Sequence, residues 1–138
     1  MLCPTKCGTD RINVKGLCGG GANIKIAKVM LHHWEEPCIS GTKGSGAVFF
    51  SGCPLNCCFC QNYNISAKNF GAEISVKRLA DIFLELQEKG AHNINLVNPV
   101  HYIPWIIVAL DLAKDKLKIP IVYNSGGYEN VSSLKLLQ

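Results

Sequence analysis

At 138 residues, with 48% hydrophobic and 17% charged side chains, the chain is long enough to bury a core of its own and too apolar for a disordered tail. A formal net charge of +4 on scattered lysines excludes the like-charge block of a nucleic-acid arm. No run reaches the roughly 20 apolar residues of a membrane span, and the start MLCPTKCGTDR lacks the apolar stretch of a secretory signal. The expectation is a cytoplasmic protein with no nucleic-acid or membrane partner, whose eight cysteines serve a metal or catalysis before disulfides.

Residues 1–46 place Cys3, Cys7, Cys18, Cys38, His32 and His33 among many glycines, with GLCGGGA in the middle and SGTKGSG at the end. They read as a loop-rich, Cys-containing N-terminal extension. Only Ile24 to Leu31 looks regular there, and its periodicity leaves strand and helix both open. From Ala47 the pattern alternates. Ala47 to Ser51 is a short apolar run that reads as a buried strand. Ser75 then caps a helix whose apolar residues Leu79, Ile82, Phe83 and Leu86 fall at i, i+3, i+4 and i+7, with Gly90 as the stop.

Asn93 to Val97 is the second strand. Pro104 suits the first turn of a second helix, with Ile106, Ile107, Leu110 and Ala113 as its apolar face. Ile119 to Tyr123 is the third strand, with Pro120 near its start where a missing donor is tolerated. Ser125, Gly126 and Gly127 break it, and Val131 to Gln138 begins a third helix.

This β-α-β-α-β order predicts parallel strands whose ligands gather at their C-terminal ends. A closed eight-unit barrel takes about 250 residues. Only about three β-α units fit here, which leaves the last strand with an unpaired edge, so the order reads as either a small open sheet or, the favoured reading, part of a larger fold.

The stretch SGCPLNCCFCQN follows the first of these strands directly. Within it Cys53, Cys57 and Cys60 form C-x3-C-x2-C, with Cys58 as the odd thiol. Structural zinc takes four ligands, usually as two separated C-x2-C pairs. A thioredoxin-type pair leaves Cys53 idle and expects a helix start. Three thiolates on one loop suit a cubane iron-sulfur cluster with one iron left open, and an open metal position is where a substrate binds directly.

C-x3-C-x2-C after a strand, with the aromatic Phe59 before the last cysteine, resembles the signature of the radical S-adenosylmethionine superfamily. LCPTKCGTDR, HHWEEP, SGTKGSGAVFFSGC and CQNYNIS resemble the group related to the pyruvate formate-lyase activating enzyme, so the likeness runs along nearly the whole chain. It implies an α/β fold, a partial (β/α) barrel of radical SAM type with about three β-α units in residues 47–138 as the truncated N-terminal part of the core.

It implies that Cys53, Cys57 and Cys60 hold a 4Fe-4S cluster whose fourth iron binds the amino and carboxylate groups of S-adenosyl-L-methionine. An electron from the cluster then cleaves that molecule to methionine and a 5′-deoxyadenosyl radical, chemistry that belongs to the cofactors. The resemblance places Phe59 near the adenine. At the end of the second strand, where the superfamily often has Gly-Gly-Glu for the methionine amino group, this chain has Val97-Asn98-Pro99, so Asn98 stands in without a carboxylate. Asn124 and Ser125 are further polar candidates by position. The implied partners are a protein substrate, a glycyl radical enzyme, and an electron donor such as flavodoxin or ferredoxin.

The remaining features have plainer readings. Cys58 is expected to be a small packing residue. Cys3, Cys7 and Cys18, a looser C-x3-C-x10-C set, are open to a second metal with Cys38, His32 or His33 as a fourth ligand. His32 to Glu36 is expected to be a polar connection under the barrel rim, anchored by Trp34, rather than acid-base machinery. His101 is expected on the site side and His92 in a loop. Gly19 to Gly21 lacks the lysine and helix start of a phosphate loop. Two other functions remain open: an iron-sulfur or zinc binding module without S-adenosylmethionine chemistry, and an inactive truncated chain.

Overall fold

In the computed structural model, which describes residues 2–138 and leaves Met1 of the expected extension outside them, the run IKIAKVMLH forms strand β1 (Ile24–His32). Ile24 and Ile26 are buried while Lys25 between them is not, the alternation expected of a strand packed on one side. The sheet is completed by β2 (Ser45–Phe50), β3 (Ala72–Ile74), β4 (Ile94–Val97) and β5 (Ile121–Asn124) in the order β3-β1-β2-β4-β5. β2, β4 and β5 run parallel, and β1 is antiparallel to both β2 and β3. The cysteine-rich extension is therefore not a separate body, because its β1 lies inside the sheet and its Ile24 and Ile26 belong to the main core.

The third predicted strand begins two residues later than the sequence suggests. Pro120 has no N–H for a ladder; it lies just ahead of β5 and lends only its carbonyl, which accepts from the Ile94 N–H at 2.9 Å. The strand continues instead to Asn124, opposite Val97. β5 is one edge of the sheet, as the order of elements predicts, and β3 is the other.

Two helices cover one face. In α3 (Val76–Glu88) the Ser75 hydroxyl accepts from the Arg78 N–H at 3.1 Å, and Leu79, Ile82, Phe83 and Leu86 are all buried. Gly90 takes a positive φ of 86° just past the helix, where a residue without Cβ is favoured. α4 (Ile103–Ala113) has Pro104 in its first turn. Its buried residues are Ile103, Ile106, Ala109 and Ala113, with Ile107 and Leu110 only half-buried. The contact face is thus rotated from the expected one, with the small Ala109 and Ala113 in the shared core beside the α3 side chains.

Short helices α1 (Pro37–Ser40), α2 (Tyr63–Ser66) and α5 (Val131–Leu134) and 3-10 turns at Val100–Tyr102 and Lys135–Leu137 fill the connections. The last predicted helix is therefore a single turn followed by a 3-10 turn. Among the described residues no helix is long and apolar enough to cross a membrane.

Val48, Phe50, Ile94 and Leu96 pack with the buried residues of α3 and α4 in one core, and each fully buried side chain of this size contributes about 1.5–3 kcal/mol. The period of two then sends Ala47, Phe49, Asn95, Val97, Val122 and Asn124, matched across β2, β4 and β5, to the opposite face. That face carries the site.

Candidate metal centre

β2 ends at Phe50, and the thiol loop leaves it through Ser51 and Gly52. Gly52 has φ +83°, and a Cβ there would lie 2.1 Å from the Cys18 carbonyl oxygen, so no other residue fits without moving backbone. The same carbonyl accepts the Cys53 N–H at 3.0 Å, and the Gly52 N–H donates to the Ile65 carbonyl at 2.9 Å. The Cys57 carbonyl accepts the Cys60 N–H at 3.2 Å, and the Ser66 hydroxyl on α2 lies 3.3 Å from Cys60 Sγ as a donor. The loop is held at both ends by backbone bonds and at its last sulfur by a hydroxyl.

Cys53, Cys57 and Cys60 all line one cavity of about 230 Å3 at the C-terminal ends of β2, β4 and β5. Asn98, Asn124 and Ser125 line the same cavity, so the residues singled out from sequence are brought together, apart from Phe59. Asn98 takes the left-handed conformation at φ +57°. Its N–H donates to the Asn124 carbonyl at 2.7 Å and its side-chain NH2 to the Gly52 carbonyl at 2.8 Å. Asparagine tolerates this backbone better than most residues, which gives Asn98 a positioning task that sequence reasoning missed. Ser66 and Gly52 were missed as well; the glycine directly before the first cysteine was the available signal.

Three expectations need correction. Cys58 is exposed rather than packed, because neighbouring thiols on a tight turn point apart. Trp34 is 90% exposed and anchors nothing; the inward-turning residue of that segment is Glu35, whose Oε1 accepts from the Asn95 NH2 at 3.1 Å. His101 does not reach the cavity. It is fully buried, with Nε2 2.8 Å from the Ser51 carbonyl, which accepts the ring N–H, and Nδ1 without a partner. Burial drives its pKa down to about 4, so it is a neutral support beneath the loop.

Phe59 is 86% exposed. His92 is a loop residue as expected, its Nε2 accepting from the Lys43 N–H at 3.2 Å.

The N-terminal thiols are arranged differently. The Cys7 and Cys18 sulfurs lie 3.8 and 3.5 Å from the point where a Cβ on Gly16 would stand, and Cys3 is buried near Val100 and Ile103. Arg11 reaches the Cys18 sulfur at 3.8 Å, donates to the His101 carbonyl and lies over the Trp105 ring. Hydrogen bonds from Thr9, its side chain foremost, hold the exposed Cys7 thiol down at about 7, whereas burial pushes Cys18 up.

Among the described residues no three His, Cys, Asp or Glu side chains are grouped as a single metal ion requires. A lone tetrahedral metal with bonds of about 2.3 Å needs its thiolates converged, while a cubane takes each on a different iron. The three cavity thiols, all cysteine and all facing one space, are the donor set that a cubane uses.

Residues 40–130, about two thirds of the chain and including the whole thiol loop, match the protein family described as 4Fe-4S single cluster domain. The chain is also 30% identical over 149 residues to an uncharacterized protein of Methanocaldococcus jannaschii, with 99% of this chain but 41% of that protein covered. The chain therefore spans less than half the length of this relative. No solved structure matches it.

Proposed function

Because the chain belongs to the family of 4Fe-4S single cluster domains, we propose that Cys53, Cys57 and Cys60 hold the cluster and that the cavity beside them receives S-adenosylmethionine. The observation that carries this reading is the shared lining: three thiols and the polar ends of β4 and β5 face one space of about 230 Å3. Three protein ligands leave one iron free for a substrate, and the cluster supplies, when bound, one electron for reductive cleavage of the sulfonium.

The chain's own residues do the positioning. Asn98, fixed by its bonds to Gly52 and Asn124, presents a polar edge where a methionine amino group requires acceptors, and Asn124 and Ser125 extend that edge. Phe49, Leu55 and Val97 contribute apolar walls, which exclude water from a site that handles reactive species. Phe59, exposed outside the cavity lining, is the aromatic that this reading assigns to the adenine. By the same reading the protein is cytoplasmic and works in the manner of glycyl-radical-enzyme activating proteins, on the barrel that the β2-α3-β4-α4-β5 order begins.

The test is the electron paramagnetic resonance spectrum of the anaerobically reconstituted, reduced chain with and without S-adenosylmethionine. A changed cluster signal is expected. A cluster whose spectrum is indifferent to the added molecule would leave an iron-sulfur binding module and end the S-adenosylmethionine reading.

A further inference from the structure

The face of the sheet opposite α3 and α4 carries a second feature, beside the short helix α1. A groove of about 450 Å3 is lined there by Glu35, Glu36, Asn95, Val122, Asn124 and Ser125 among others. It shares Asn124 and Ser125 with the thiol-lined cavity, so the two spaces join along one wall.

Asn95 forms part of its floor and is 1% exposed. Its NH2 donates to Glu35 Oε1 at 3.1 Å, and its Oδ1 is buried with no hydrogen-bond partner. The orientation of the amide is forced, because a carboxylate only accepts and so must face the NH2. A buried carbonyl oxygen without a donor is costly and rare. A residue lining the groove thus carries an orphan acceptor beside a carboxylate, and Glu36 adds a second carboxylate to the lining. No lysine or arginine lines it, although the chain as a whole carries a formal charge of +4. The space is too large for a bare ion, and no three-ligand metal group is formed among the described residues.

We propose that this groove is a subsite for a cationic nitrogen group, an ammonium or guanidinium, at one end of a substrate. Such a group brings several N–H donors and a positive charge, which is what Glu35 and Asn95 Oδ1 lack. The groove stands on its own observations; that the other end of the substrate lies in the thiol-lined cavity rests on the iron-sulfur reading above.

The test is a titration of the metal-free, 15N-labelled chain with agmatine, which carries both cations, against neutral butylurea, following the Asn95 side-chain NH2 resonances. Agmatine is expected to give a saturable shift, butylurea none, and Glu35→Gln to weaken agmatine binding roughly tenfold or more, the scale of a charge-assisted hydrogen bond. No saturable shift up to roughly 10 mM agmatine, equal response to butylurea, or displacement of agmatine by magnesium with the same Asn95 shift would overturn the proposal. The ligand comparison runs on the unmodified protein and does not depend on the variant folding. Iron uptake by the unmodified chain, measured separately after anaerobic reconstitution, separates the two readings. Groove binding that persists without iron leaves this proposal standing if the cluster fails, and iron binding without a groove response sinks this proposal alone.

Discussion

The loop from Cys53 to Cys60 and the segment from Cys3 to Cys18 are both rich in thiols, yet they meet the sheet in opposite ways. The first opens Cys53, Cys57 and Cys60 onto a cavity at the parallel strand ends. The second folds Cys18 away under Arg11 and Gly20, buries Cys3 and leaves Cys7 alone at the surface. The number of cysteines is similar, so position relative to the strand ends decides which set is offered to a ligand. The two regions are also physically joined, since the Cys18 carbonyl holds the Cys53 N–H. The Cys18 end of the first segment acts as a buttress to the open loop.

The sharpest way to break this comparison is to remove thiols one at a time. Cys53→Ala, Cys57→Ala and Cys60→Ala are each expected to lose nearly all bound iron after anaerobic reconstitution, while Cys58→Ala and Cys7→Ala keep it. Iron analysis decides, and a Cys7→Ala protein as poor in iron as Cys57→Ala would merge the two regions into one metal site. The buttress is tested next. Gly52→Ala places a Cβ against the Cys18 carbonyl at a positive φ, and a loss of about 2–4 kcal/mol is expected in urea unfolding. Gly21→Ala, where a Cβ meets nothing within 4 Å, should stay within about 0.5 kcal/mol of the parent.

His101 links both regions through Ser51 and Arg11, and its effect is read in pH. With a folded pKa near 4 against an ordinary 6.5, protonation favours the unfolded chain. Its stabilising effect is full above pH 6.5 and falls away as the pH drops toward 4, by up to about 3 kcal/mol. Unfolding curves at pH 7 and 4.5 measure it, and His101→Gln should flatten the difference. The smallest effect is chemical. Iodoacetamide should label Cys7 with a rate that rises through about pH 7, while Cys18 stays unlabelled in the folded protein. Peptide mass mapping that finds Cys18 equally labelled would show the segment to be open.

Much of the scaffold was legible because its signals are local. The period of 3.6 through Leu79, Ile82, Phe83 and Leu86 with Ser75 ahead of it signals a capped amphipathic helix, and the apolar runs at 47–51 and 93–97 overlap the buried strands β2 and β4, whose ends differ by one or two residues. β1 was ambiguous because the apolar-polar alternation of Ile24, Lys25 and Ile26 is not kept through Val29, Met30 and Leu31, and the antiparallel pairing with β3 depends on contacts between residues far apart in sequence. The cysteine spacing exposed the thiol loop at once. Glu35 was misjudged because the bulk of Trp34 beside it suggested an anchor, whereas the connection turns its carboxylate inward to satisfy the Asn95 amide. No pattern in HHWEEP announces a partner 60 residues away.

Asn98 ties three strand ends through two hydrogen bonds, one to the carbonyl of Gly52 after β2 and one to that of Asn124 on β5. The rim of the cavity is therefore ordered by folding itself, before any ligand arrives. A molecule entering the space meets a rim whose backbone and Asn98 side chain are already held, so less of its binding free energy goes into ordering the protein and more remains as affinity. The same rigidity makes the rim selective by shape, since a ligand that demands a wider mouth must break a bond that holds the strands in register.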